Sequence, residues 1–67
     1  MKAFFRNGMR MVQAEQLPSG DWRVSEGRRS WLESDEEFRM HWEPWSAEAR
    51  RMFGRYVEAE REVVARN

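Results

Sequence analysis

Apolar and polar residues alternate along the first part of this chain, as they do in strands that bury one face. Within residues 11–16, Val12 and Ala14 are separated by polar residues, and Trp22 and Val24 repeat the same spacing further on. A period of two places alternate side chains on opposite faces of a strand. The pattern therefore predicts half-buried strands, with Val12 and Ala14 on one face of the first and Trp22 and Val24 on one face of the second.

Two short polar segments divide the predicted strands. Residues 17–20 read Leu-Pro-Ser-Gly and residues 26–28 read Glu-Gly-Arg. Proline presets the backbone angle of an early turn position, and glycine reaches positive φ without steric cost. With a further strand over residues 29–33, we expect a small, bent antiparallel β-meander of about three to four strands within residues 9–43.

The third predicted strand contains a bulky pair whose directions affect the core. Trp31 and Leu32 are neighbours, so a period of two turns them to opposite faces. We expect Leu32 to face the core and Trp31 to face outward. Arg28 and Arg29 then lie beside an exposed ring at a tight turn. The alternative is that the N-terminal segment covers Trp31 and that both arginines are merely solvated.

A helical turn is expected after the third strand. Ser34 and Glu37 have the spacing of a capping box, in which each side chain accepts a hydrogen bond from an orphan backbone N–H at the helix start. The acidic residues between them also suit the positive end of a helix. We predict a short helix over residues 35–38, anchored by Phe38, and a final short strand over residues 39–43.

Behind Pro44 the apolar period becomes helical. Ser46 is a good N-cap residue, and Trp45 is expected to anchor the chain just before it. Apolar residues then recur at helical spacing: Ala49, Met52, Phe53, Tyr56, Val57, Val63 and Val64. We predict one C-terminal amphipathic helix over residues 46–65, packed on the sheet. The expected centre of the core is Trp22, Val24, Leu32, Phe38, Met52, Phe53 and Tyr56.

The predicted class is therefore α+β, with residues 1–67 forming a single domain. Composition narrows the setting of this domain. The absence of cysteine rules out disulfides and suits a reducing compartment, so we expect a cytoplasmic protein. No segment reaches the apolar length of a membrane span, and we expect no membrane partner. The 12 basic and 12 acidic residues give no overall field that would attract nucleic acid.

Three motifs follow one another in the middle of the chain. Residues 12–16 read Val-Gln-Ala-Glu-Gln, residues 20–22 read Gly-Asp-Trp, and residues 38–44 read Phe-Arg-Met-His-Trp-Glu-Pro. In this order they resemble the small phage-associated domain with a Pro-Gly-Asp-Tyr-Gly-type motif, in which V-x-A-x-Q, G-D-W and F-x-x-x-Y-E-P recur. The resemblance covers residues 12–44. It implies a strongly bent small sheet in a phage or prophage setting, with no established catalytic residues.

No cluster in the sequence has the composition of a catalytic, metal or phosphate site. His41 is the single histidine, and no cysteine accompanies it, whereas a nucleophile needs a neighbouring base and zinc needs several such ligands. The carboxylates of residues 33–37 would need an enclosing cleft for glycosidase-like work, and so short a chain leaves little material for one. We predict a protein that is not an enzyme and uses no cofactor or metal.

The leading functional hypothesis is a phage-type protein-binding module. Arginine and tryptophan are favoured at interaction hot spots, and the candidate contact residues are Arg28, Arg29, Trp31 and Arg23. Small phage proteins without catalytic residues commonly inhibit a host protein or ribonucleoprotein complex stoichiometrically, as anti-CRISPR and other anti-defence proteins do. By this analogy we expect the same role here.

Single-stranded nucleic acid and a second copy of the chain are two further candidate partners. In the alternative function, a single strand of nucleic acid stacks on Trp22, Trp31 and Trp42 beside several arginines, although the zero net charge and the acidic run over residues 33–37 oppose this. A homodimer is also expected, because Val63 and Val64 extend past the predicted sheet and Phe4 and Phe5 have no obvious place in the core. The alternative to the dimer is that the phenylalanines fold back as a first strand.

Overall fold

The computed structural model describes residues 2–53. It contains a five-stranded antiparallel sheet and two short helices, which confirms the α+β class. The strands are β1 Ala3–Asn7, β2 Arg10–Gln16, β3 Trp22–Glu26, β4 Arg29–Glu33 and β5 Glu43–Pro44, in the sheet order β4-β3-β2-β1-β5. The helices are α1, Asp35–His41, and α2, which begins at residue 47 and continues to the end of the described range.

Strand β1 contains the phenylalanines whose fold-back as a first strand was the alternative to a homodimer. It pairs with β2 along its whole length, from Ala3 opposite Ala14 to Asn7 opposite Arg10. Phe5 is fully buried, so the fold-back alternative is right and Phe5 needs no dimer to cover it. The meander therefore begins at residue 3 and not at residue 9, and the sheet has five strands instead of three or four.

One face of the sheet, called here the inner face, carries the core. Phe5 lies opposite Val12 and Val24 lies opposite Trp31, and the first three of these side chains are buried. The expected orientation of the bulky pair is wrong, because Leu32 is 61% exposed and Trp31 packs against the core. The cause is the two-residue loop after β3, whose length sets the register of β4 and hence the face of every side chain on it.

Helix α1 begins as expected and ends later than expected. The hydroxyl oxygen of Ser34 accepts a hydrogen bond from the Glu37 backbone N–H at 3.2 Å. The helix then runs to His41, so the strand predicted over residues 39–43 is wrong except for Glu43. Phe38 and the C-cap residue Trp42 are both buried, and their spacing of four suits one helical face better than a strand.

The second helix has the predicted cap. The Ser46 hydroxyl oxygen accepts hydrogen bonds from the backbone N–H groups of Ala49 and Phe4, each at 3.2 Å. Trp45, expected as an anchor, is half exposed, while Phe53 packs against the core. The remainder of the predicted C-terminal helix, including Tyr56, lies outside the described residues.

The core is a cluster of aromatic rings enclosed between the inner face and the helices. Trp22 and Phe38 stack with ring centroids 4.2 Å apart, and Phe5 meets the Phe38 ring edge-on at 4.8 Å. The buried set consists of Ala3, Phe5, Val12, Ala14, Trp22, Val24, Phe38, Trp42 and Ala49. Within residues 2–53, no helix is long and apolar enough to cross a membrane.

Candidate functional site

Two glycine turns lie at the same end of the sheet. Gly8 and Gly27 have φ values of 61° and 59°, whereas no other residue type in the described range has positive φ. Each glycine is the first residue of a two-residue loop, because Asn7 pairs with Arg10 and Glu26 pairs with Arg29. Positive φ at the first loop position alone defines a type II′ turn. Successive strands alternate in direction, so both loops project from one end of the sheet, the turn end.

An ion pair ties the two hairpins of the turn end together. The Arg10 guanidinium donates two hydrogen bonds to the Glu26 carboxylate, at 2.7 Å and 3.1 Å. The hydrogen bond from Arg10 lowers the pKa of Glu26, and the same bond raises the pKa of Arg10. Arg10 also lies over the Trp42 ring, 5.1 Å from its centroid. Both hairpin loops are thus held in a defined relation to each other and to the end of α1.

The partly buried carboxylate of Glu33 accepts hydrogen bonds from two tryptophans. The indole N–H groups of Trp31 and Trp42 both donate to Glu33 Oε2, at 2.7 Å and 3.1 Å. His41 Nδ1 lies 3.5 Å from the other carboxylate oxygen, and the Glu33 side chain is only 10% exposed. Glu33 was not among the contact residues predicted from the sequence. Two features of the sequence could have indicated this role. A buried indole N–H requires an acceptor, and an acidic residue lies two positions after Trp31.

The structure brings three of the four predicted contact residues together. Arg28 lies in the loop before β4, and the Arg29 guanidinium carbon lies 5.9 Å from the centroid of the Trp31 ring. Arg23 is apart from them, because it lies on the outer face of β3, where its guanidinium is 3.5 Å from the Glu15 carboxylate. The candidate contact is therefore a cluster at one end of β4 and not a continuous stripe of arginines.

Exposed apolar side chains accompany the arginines at the turn end. Met9, at the tip of the first loop, is fully exposed, and Met40, near the end of α1, is largely exposed. Met40 and Gly8 both line a cavity of about 350 Å³, together with Arg6, Asn7, Arg39, His41, Trp42 and Glu43. Arg28 makes no ion pair with any residue in the range 2–53. The turn end thus combines an available cation with flexible, polarisable apolar chains.

The tryptophan platform of the alternative function is not formed. Trp22 is fully buried and Trp42 is nearly so, which leaves neither ring face open to a base. The Arg39 guanidinium is also engaged, because it donates to Asp35 at 2.9 Å and lies 4.5 Å from the Phe53 ring centroid. Of the three tryptophans in that hypothesis, Trp31 alone keeps a partly open ring, and Arg29 lies beside it.

The side chains at the turn end can bind another molecule through charged hydrogen bonds and apolar contacts. Guanidinium groups bind carboxylates or phosphates in a planar, bidentate geometry, and methionine fits irregular apolar surfaces. Among the described residues, no group of three or more histidine, cysteine or acidic side chains could hold a metal ion.

No protein-family model, curated protein or solved structure matches this chain. The resemblance of residues 12–44 to the phage-associated domain stays a prediction.

Proposed function

We propose that this protein is a small, non-catalytic module that binds another protein through the turn end of its sheet. The observation that supports this most is Arg28, which has no ion-pair partner in the described range and lies in a two-residue loop at the same end of the sheet as the exposed Met9. The resemblance to a phage domain adds the biological setting. In that setting the protein is a stoichiometric inhibitor of a host protein or ribonucleoprotein complex in the host cytoplasm, of anti-CRISPR or another anti-defence type.

The rigidity of the turn end supports this role. Binding costs less free energy when the contacting groups are already held in place. The two type II′ loops are short, and the pair between Arg10 and Glu26 links them across the sheet. A partner that places a carboxylate or phosphate opposite Arg28 gains a charge-assisted hydrogen bond without ordering the loop. Arg29 and Trp31 extend the same contact along β4.

The test is a charge reversal with a matched control on the other face. Arg28→Glu should lower the amount of partner captured from a host lysate by roughly tenfold or more, as expected for a hot-spot arginine. Arg23→Glu makes the same change of charge on the outer face and should leave capture unchanged. Arg28→Glu should keep the melting temperature of the parent protein, because its side chain is exposed. Arg23→Glu places two carboxylates opposite each other in the β2–β3 pair, so it should melt slightly lower but stay folded.

Two outcomes would count against the proposal. Capture of the same partners by folded Arg28→Glu at parental strength removes the turn end as the contact. A steep, uniform loss of capture with rising salt, together with loss after nuclease treatment, favours the nucleic-acid alternative through Trp31 and Arg29.

A further inference from the structure

We propose that the edge of strand β4 binds a second copy of this chain, so that the two sheets join into one across a twofold axis. This edge adjoins the turn-end contact and shares Arg29 and Trp31 with it, whereas Arg28 lies outside the edge in the preceding loop. The two edges of the sheet are unequal: β5 has only two residues, one of them Pro44, whereas β4 has five and no proline. Short edges and prolines block strand addition, and a longer regular edge permits it.

The register of β4 shows which backbone groups are available. Glu26 and Arg29 flank a two-residue loop and therefore form a hydrogen-bonded pair. Bonded and non-bonded pairs alternate in an antiparallel ladder. The N–H and C=O groups of Ser30 and Leu32 consequently point away from β3. Within residues 2–53, no backbone group outside the ladder bonds to them.

The sequence of β4 is complementary to itself when it is read in the opposite direction. If Trp31 lies on the twofold axis, Ser30 faces Leu32 of the second copy, and the available backbone groups of both copies meet. Arg29 then lies opposite Glu33 of the second copy, and Glu33 lies opposite its Arg29. Opposite charges at directly facing positions stabilise a strand pair, and the Glu33 carboxylate, which the two indole N–H groups already hold in place, supplies the negative charge. No other antiparallel register pairs all five residues of β4.

This pairing also covers the exposed apolar surface at this edge. Leu32 is 61% exposed on the outer face, and in the dimer it lies beside the new strand. On the inner face, the partly buried Trp31 ring lies next to the ring of the second copy, with an Arg29 already 5.9 Å from each centroid. The edge of β4 thus has available backbone groups, complementary charges and an exposed apolar side chain that the second copy would cover.

Sedimentation or light scattering tests the dimer. The parent protein should have a mass about twice 8.2 kDa at high concentration and approach 8.2 kDa on dilution. Leu32→Pro should be monomeric, because proline removes the outward N–H but no bond to β3. Leu32→Thr removes the same apolar side chain, keeps the N–H and should still dimerise. A parent protein that is monomeric at the highest concentration, or a folded Leu32→Pro protein that dimerises like the parent, would overturn the inference.

The register has its own test, because the chain contains no cysteine. Ser30→Cys and Leu32→Cys place thiols on the outer face, away from the core. Mixed under oxidising conditions, the two variants should form a covalent heterodimer, since these positions face each other across the axis. Each variant alone should not form a disulfide. In the proposed register the two copies of one position are diagonal neighbours about 7–8 Å apart, which is too far for a disulfide. Disulfides that form as readily within one variant would overturn this register.

The dimer and the proposed function can fail separately. Leu32→Pro leaves Arg28 and both glycine loops unchanged, so it should still capture the partner of the turn end. Arg28→Glu leaves the outward groups of β4 unchanged, so it should still dimerise.

Discussion

A single carboxylate, that of Asp35, connects the helix α1 to two strands. Its Oδ1 atom accepts hydrogen bonds from Trp22 Nε1 at 2.8 Å, from Arg39 Nε at 2.9 Å and from Gln16 Nε2 at 3.3 Å. Trp22 is fully buried, so its indole N–H has no access to bulk water. From the sequence, Asp35 was expected only to favour the start of a helix. The structure adds that it satisfies the one polar group of the largest core side chain.

Replacement of Asp35 should therefore destabilise the fold more than replacement of an exposed acidic residue in the same helical turn. We expect Asp35→Ala to lower the free energy of unfolding by about 1–3 kcal/mol, because it leaves a buried donor without a partner. Glu36→Ala is the control, since it removes an acidic residue from the same helical turn but from an exposed position. It should change stability by at most about 0.5 kcal/mol. Urea unfolding followed by tryptophan fluorescence measures both, and equal losses would contradict this role.

At the scale of elements, the two-residue loop after β3 determines on which face of the sheet each side chain of β4 lies. It consists of Gly27 and Arg28, and it makes Glu26 face Arg29. This parity places Trp31 opposite Val24 on the inner face and turns Leu32 to solvent. A loop one residue longer would exchange the two faces of β4.

Gly27→Ala should destabilise this hairpin. The added Cβ would meet no atom within 4 Å, so its cost comes from the backbone, which has φ 59°. A residue with a Cβ that is held in such a sparsely populated positive-φ conformation costs roughly 1–3 kcal/mol. Arg28→Ala in the same loop is the control, because position 28 has negative φ, and it should melt close to the parent protein. Thermal unfolding followed by circular dichroism compares the two variants. Identical melting temperatures would show that the loop tolerates the side chain.

At the scale of the whole molecule, aromatic rings from separate elements hold the fold together. Phe5 of β1 contacts the rings of Trp22, Phe38 and Phe53, with centroids 5.4, 4.8 and 5.1 Å away. Four elements that are distant in sequence thus meet at one ring. Such a core is formed cooperatively, because no single element can bury its apolar face alone.

Loss of the Phe5 ring should unfold the protein. Phe5→Ala is expected to cost about 3–5 kcal/mol, which matches the roughly 3–5 kcal/mol that a core of this size supplies. Phe4→Ala changes the neighbouring residue, whose side chain is 42% exposed, and should keep a cooperative transition. Near-ultraviolet circular dichroism at 25 °C distinguishes them. A folded Phe5→Ala protein with parental melting would show that the core does not depend on this ring.

The sequence by itself determined the features that depend on local chemistry. The alternation in residues 11–16, the Ser34 and Ser46 caps and the turns at Gly20 and Gly27 were predicted, because period, capping and positive φ are properties of a few adjacent residues. The turn at Gly8 was not predicted. Of the candidate contact, the proximity of Arg28 to its neighbours along β4 could be predicted for the same reason.

Only the tertiary structure decided the remaining features. The first strand forms because β2 offers a partner, and α1 continues past residue 38 because Trp42 finds buried space and a hydrogen bond to Glu33. The direction of Trp31 depends on the exact number of residues in one loop, and the exposure of the β4 edge depends on which strands pair elsewhere. These properties arise from contacts between distant segments, whose free energy no local window of the chain contains.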